Sequence, residues 1–556
     1  MQKPINSSPQ LPAKIALAVM VGLLLLTATL FGCVMRKDLP YYFEQDETTF
    51  IVVSLRMTEN GTLNPGWFGN PGTTIIYPLA FFYRVLLIAQ PGNWYAPAPE
   101  FVRQIEHQLT LLYLPGRIIS TIYFLLSIWM VYQLALELTR KYAIAVFSAV
   151  FYTFIPLNFA YSQWIRTDAV GNFFVALSLL WMIRPFTRAP KFPLRWFLAS
   201  SVALVLAVSS RYFMLALVPA LCFAILLYFY NQLGLKPLNV VKNSFVWWFF
   251  CGVVVFCLFF LLNPFIPLDF FTFLADMKRE GAGWYTGQPQ LGRVGNAIWY
   301  FTQALPSGTF LGWGALFLMV VGLVTILRRK NNFAWWVVLS FLGLCVLGTC
   351  LLRSHWARHA IAWLPVLSIL VAVGLDAIVS HLHQRLPALR WQPLWTFLVL
   401  AVGLLILPVC WIVRWQSAFS VYSNRIRMTE WAQANLPANS RIAYELHAIS
   451  HQMPNMQMFD QTWIPPKIDL VEQCQEHIDY YITSGFFEYA YQQEPVFYAE
   501  QLDFYRLLEQ HAELLYELPA QLPPDSFEST LLHGRYRSRI YRWNWAHQPD
   551  ALCPIP

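Results

Sequence analysis

Uncharged apolar runs of spanning length recur along the chain: Ile15–Val34, Ile118–Leu136, Tyr142–Tyr161, Tyr212–Asn231, Asn243–Asn263, Gly308–Leu327, Phe333–Leu352 and Leu394–Val413. Three more, Ala169–Ile183, Trp196–Ser210 and Ala360–Leu375, are shorter or end in a charge. About 20 apolar residues cross roughly 30 Å of hydrocarbon. Backbone groups in lipid must be bonded within their own segment, so these runs predict eleven transmembrane helices. Thr73–Gln90 is interrupted by Arg84 after eleven residues and reads as a helix lying at the interface. After residue 413 the pattern changes. Asn424–Asn435 has helical periodicity and ends at Leu436-Pro437, while Arg441–Glu445, Ile478–Thr483, Leu514–Leu518 and Arg539–Trp543 read as short strands. The predicted fold class is an all-α polytopic membrane domain over residues 1–413, with a long first outer loop at 35–116, followed by a small α/β domain over residues 414–556.

Composition agrees: 57% of residues are hydrophobic and 12% charged, where soluble proteins average roughly 25% charged. The net charge of +8 sums two unlike parts. Residues 1–413 hold 28 Lys and Arg against 13 Asp and Glu; residues 414–556 hold 10 against 17. No basic run exceeds three residues, which fits anionic lipid surfaces and phosphate substrates and excludes nucleic acid as a partner. With the N-terminus in the cytoplasm, the inner loops hold 15 basic residues and the short outer loops 7, the direction the positive-inside rule requires. The C-terminal domain is then extracytoplasmic. Ile15–Val34 is a spanning anchor with no small-residue cleavage site after it. Of nine cysteines, seven lie in apolar spans, and no CxxC pair suggests a metal or redox motif. Cys474 and Cys553 lie outside the spans and can pair if that side is oxidising.

This topology collects the candidate chemistry on one face. Asp46 and Glu47 open a helix about a dozen residues beyond the first span. They are either a solvated acidic pair favoured at a helix N-terminus or a general base beside the membrane surface. Asp168, next to Arg166, borders an apolar run, an expensive place for a charge; it is either half of a surface pair or a second carboxylate facing Asp46. Arg211 lies between two spans, and Arg353, His355, Arg358 and His359 fall within seven residues. These cations either snorkel to the interface or bind a lipid phosphate, for which the arginine fork is suited. Two acids and several arginines on one face are the inventory for transfer from a phospho-lipid. A transporter or flippase of lipid-linked sugars is the alternative; it would favour charges buried mid-span and pseudo-symmetric halves.

The ordered set Asp46-Glu47, Asn64-Pro65, Gly69-Asn70-Pro71, Tyr77-Pro78-Leu79, Tyr161-Ser162, Arg166-Thr167-Asp168, Asn263-Pro264-Phe265 and Arg358-His359…Leu364-Pro365 resembles bacterial glycosyltransferases of the type-C membrane fold. That family includes the aminoarabinose transferase of lipid A modification and the protein O-mannosyltransferases. The resemblance covers roughly residues 15–375. It implies a bacterial inner-membrane enzyme whose donor is a polyprenyl-phosphate monosaccharide and whose reaction is a single inverting displacement. Asp46 would be the base, and Asp168 would position acceptor or donor sugar. It implies no required cofactor, although a divalent cation at the acids stays open. Many relatives carry Lys-Pro-Pro where this chain has Asn70-Pro71-Gly72, so Arg84 or the Arg353–His359 group would replace that phosphate-binding lysine.

Overall fold

The computed structural model describes residues 11–36, 39, 45–88, 97–106, 108–188, 192–233, 237–281, 292–329, 332–352, 356–386, 392–418, 423–445, 447–450, 453, 455–460, 470–492, 495–496, 498–521 and 536–544. They fall into two compact units, one built up to residue 412 and one from residue 413 onward with short pieces near 45 and 280.

The first unit is helical throughout. In chain order its helices are α1 (Ala13–Val34), α2 (Gln45–Glu59), α3 (Thr73–Ile88), α4 (Pro99–Ile105), α5 (Leu109–Thr139), α6 (Tyr142–Phe154), α7 (Pro156–Tyr161), α8 (Thr167–Arg188) and α9 (Leu194–Ser210). There follow α10 (Leu217–Leu233), α11 (Pro237–Leu262), α12 (Phe265–Leu268), α13 (Phe270–Gly281), α14 (Gly292–Trp299), α15 (Gly312–Leu327), α16 (Phe333–Cys350), α17 (Leu364–Arg385) and α18 (Pro393–Ala418). All eleven apolar runs are therefore helical. Eight segments among the described residues are long and apolar enough to cross a membrane; Tyr142–Phe154, Leu194–Ser210 and Gly312–Leu327 are shorter. The run Tyr142–Tyr161 breaks because Ile155 is extended and Pro156, with no N–H to give, starts a new helix. The run from Ile118 lengthens instead, since α5 continues through Arg117 back to Leu109.

α5, α8 and α9 pack side by side, and α15 lies along α17. The latter contact is backbone to backbone. A Cβ on Gly322 or Gly374 would collide with a carbonyl of the opposite helix, so small residues here set the helix separation. α3 turns Ile75, Ile76, Leu79 and Tyr83 into the bundle and leaves Phe81 and Val85 exposed. At one end of the bundle, buried Glu137 accepts hydrogen bonds from Arg140, Thr187 and Arg188, and Lys141 meets Asp376 at 2.8 Å. The other polar end lies at the opposite terminus of α8, about 33 Å away by helical rise, and holds the candidate site.

The second unit contains α19 (Asn424–Asn435), β1 (Arg441–Tyr444), β2 (Gln457–Asp460), α20 (Leu470–Gln475), β3 (Tyr480–Thr483), α21 (Phe486–Gln492), α22 (Ala499–His511), β4 (Ala512–Leu518) and β5 (Ser538–Trp543). The sheet order is β2-β1-β3-β5-β4. β1 runs parallel to β2 and β3, while β5 is antiparallel to β3 and β4. Alternation distributes the core. Ile442, Ile482 and Ile540 face one cluster with Met428 and Ala432 of α19. Ala443, Tyr481 and Tyr541 face another with Phe504 and Leu508 of α22. Cys474 is disulfide-bonded; Cys553 lies outside the described residues.

Just past β1, Glu445 is fully enclosed. Its Oε1 accepts the Tyr505 hydroxyl, and its Oε2 accepts the Ser484 N–H at 2.8 Å and hydroxyl at 2.9 Å. Burial, the largest influence, raises its pKa from 4.5 to about 7 against the opposing pull of these donors. The folded state therefore holds the proton more tightly than the unfolded one. The stabilisation is complete below pH 4.5 and is lost as pH rises towards 7. On the order of 3 kcal/mol is at stake across that window. Hydrogen-exchange protection of the β1 and β3 amides in the full-length protein, corrected for the intrinsic pH dependence of exchange, should fall over this range, and Glu445→Gln should flatten that dependence. A wild-type profile already flat between pH 4.5 and 7 would contradict the burial argument.

Candidate active site

The site is assembled from helix ends. α2 begins at the end where α1 finishes, so its first turn presents Asp46 and Glu47 there. α8 begins with Thr167 and Asp168. Arg211 directly follows α9, and Arg358 opens the 3-10 turn Ala357–Trp363 that leads into α17.

Asp46 is half-exposed, with 46% of its side chain accessible. Its Oδ2 accepts two guanidiniums, Arg166 Nη1 at 2.9 Å and Arg358 Nη1 at 2.7 Å. Arg166 is buried and lies over the rings of Tyr161 and Trp164, at 4.7 and 6.0 Å. Arg358 lies over Trp356. Tyr300 fixes that tryptophan's backbone: its hydroxyl donates to the Trp356 carbonyl and accepts the Trp356 N–H. Asp168 is buried and paired with Arg211. Arg211 lies over Phe213, whose ring also meets His359. Two contact groups thus stand at one end of the bundle, Asp46 with Arg166 and Arg358, and Asp168 with Arg211, Phe213 and His359; they are neighbours in sequence at Arg166–Asp168 and at Arg358–His359. Beside them a cavity of about 460 Å³ runs between α10 and α16, lined by Leu215, Val218, Pro219, Leu344 and Thr349, with His359 and Phe213 at its border.

Two of the expected site residues have other surroundings in the structure. Glu47 does not share the exposure of Asp46. It is fully buried, and both its oxygens are occupied: Oε1 accepts Arg117 Nε at 2.9 Å and the Ile165 N–H at 3.0 Å, and Oε2 accepts Arg117 Nη2 at 2.8 Å. Arg84 is not at the site. It donates to the carbonyls of Met57 and Thr58, closing the C-terminal end of α2, whereas Asp46 stands at its N-terminal end. Arg353 and His355 lie outside the described residues. No group of three or more His, Cys, Asp or Glu side chains able to hold a metal ion occurs among the described residues.

Sequence reading missed Arg117, Tyr300 and Trp356. Arg117 carried a signal: an arginine at the edge of an apolar run requires a counter-charge, and an acidic pair was waiting upstream. The asparagines of the family-like motifs are structural. Asn64 donates to Asp269 and Asn70 to Thr167, tying the loop before α3 to the segment after α11 and to α8, and Asn263 donates to Ser209, tying that same segment to α9.

Residues 95–273, about a third of the chain, match the family model of the dolichyl-phosphate-mannose-protein mannosyltransferases. Among solved structures, ArnT from Cupriavidus metallidurans bound to undecaprenyl phosphate is similar with a TM-score of 0.50 at 13% identity, over 98% of this chain and 100% of that one. The archaeal oligosaccharyltransferase AglB from Archaeoglobus fulgidus, in complex with an inhibitory peptide and a dolichol-phosphate, gives 0.50 at 12% identity, over 96% of this chain and 75% of that one. A comparison with curated proteins found none that matches. The class these likenesses and the architecture define is a multi-pass membrane protein of the type-C glycosyltransferase fold with a C-terminal α/β domain.

Proposed function

We propose that this protein is a glycosyltransferase that moves a monosaccharide from a polyprenyl-phosphate donor to an acceptor on the outer face of a bacterial inner membrane. The observation that carries the reading is the meeting of Asp46 with Arg166 and Arg358 at one bundle end. A half-exposed carboxylate is able to take a proton from an acceptor hydroxyl or amine. Guanidiniums beside it are able to bind the donor phosphate and stabilise it as it leaves. Direct attack on the anomeric carbon inverts its configuration. Asp168, held by Arg211, positions acceptor or donor sugar. The apolar cavity bordered by His359 suits the first isoprene units of the donor.

Three further observations support this. The matched family's name specifies a dolichyl-phosphate-mannose donor, and the two similar structures hold undecaprenyl phosphate or a dolichol-phosphate. The disulfide of Cys474 suits an oxidising compartment for the C-terminal domain, in keeping with an extracytoplasmic C-terminus. The charges of the bundle gather at its two ends (Glu137 and Asp376 at one, Asp168 and Arg211 at the other), where a transporter would carry them mid-span.

Reconstituted protein given a radiolabelled polyprenyl-phosphate sugar should release polyprenyl phosphate and label an acceptor. Mass spectrometry of lipids and glycans from a deletion strain should then name the missing decoration. Movement of the intact lipid-linked sugar across the bilayer, with no cleavage of its sugar–phosphate bond, would sink the reading.

A further inference from the structure

Arg166 and Arg358 both reach the same oxygen of Asp46, Oδ2, at 2.9 and 2.7 Å. Each is largely enclosed, with 7% and 15% of the side chain accessible. Partial burial lets these charges feel one another strongly. A carboxylate held by two cations accepts a proton reluctantly, which is an awkward environment for a base. The same guanidiniums fit a phosphate equally well. The apparent conflict resolves if the two anions use the cations in turn.

We infer that Asp46 and the donor phosphate share Arg166 and Arg358, so that proton uptake by Asp46 releases both guanidiniums to the departing phosphate. The inference rests on Asp46 being the base. In the transfer, the acceptor O–H or N–H bond breaks and its proton passes to Asp46. The freed electron pair forms the bond to the anomeric carbon. The bond from that carbon to the phosphate oxygen breaks, its pair going to the oxygen, and the phosphodiester becomes a phosphomonoester. Asp46 loses a negative charge in the same step in which the phosphate gains one. The Asp168–Arg211 pair keeps its own balance throughout. The net charge near the two guanidiniums therefore stays constant while the negative charge moves from the base to the leaving group, and little reorganisation is required of the protein.

The consequence is measurable without turnover. Full-length protein in nanodiscs is titrated with undecaprenyl phosphate, the product-like monoester. Asp46→Asn, which mimics the neutral base, should bind it roughly tenfold more tightly than the wild type, a modest value for coupled sites. The gain should vanish in Asp46→Asn combined with Arg358→Gln, and should be missing for uncharged undecaprenol. Asp46→Ser provides a second neutral variant should the first fail to fold, with thermal unfolding as the control. Lost turnover with unchanged product affinity in both variants overturns the coupling alone. Retained turnover in Asp46→Asn overturns the base assignment and the coupling with it.

Discussion

Asp46→Asn is expected to lower turnover by roughly 10²–10⁴-fold, the usual contribution of a positioned general base, with thermal stability nearly unchanged. The substitution is isosteric. Its side chain is half-exposed, so the amide loses the strong hold on Arg166 and Arg358 at a position where solvent can take over part of their solvation. It also loses the ability to take a proton. The other acids of the site are poorer candidates. Asp168 is only 5% accessible and paired with Arg211, and Glu47 is wholly enclosed with both oxygens bonded. Single-turnover measurement with a radiolabelled polyprenyl-phosphate sugar checks this directly. Near-normal turnover by the variant would defeat the assignment of the base.

The apolar runs made the helical bundle legible in the sequence, because lipid forbids unbonded backbone and leaves the helix as the only option for a single span. The helix Asn424–Asn435 and four of the five strands were legible for a related reason: short alternating runs stood between turn residues. β2 was not. It is four residues long, lies at the sheet edge and carries Gln457 and Asp460 at its ends, so no alternation marks it. At the site, sequence reading identified residue types at helix ends, and the structure brings Asp46, Arg166 and Arg358 into one contact group. It could not distinguish an arginine that caps a helix from one beside an acid, since Arg84 and Arg358 both interrupt apolar sequence. The distinction depends on which helix ends meet, a long-range matter. Arg117 was hidden for the same reason. Its partner Glu47 lies 70 positions away, so the charge looked like the boundary of a span when it is the interior of α5.

Arg117→Ala is expected to cost about 3–5 kcal/mol, the typical penalty for removing one member of a buried ion pair. Glu47 would be left with no accessible surface and no counter-charge, keeping only the Ile165 N–H among the bonds described above. The damage should reach the site, because Arg117 also donates to the Met35 carbonyl at the end of α1, and Glu47 adjoins Asp46. The Glu47–Arg117 pair therefore joins α1, α2, α5 and the segment before α8 at the point from which Asp46 projects. Both folding and turnover should fall, by loss of folded yield and melting temperature in detergent and by loss of transfer. The pair of substitutions Glu47→Leu and Arg117→Met removes both charges together and should recover much of the stability, since an apolar pair of similar volume often replaces a buried salt bridge at little cost. A supporting role for Glu47 predicts that this double variant regains measurable transfer along with its fold. A double variant that folds as well as the wild type yet transfers nothing would return Glu47 to the reacting groups.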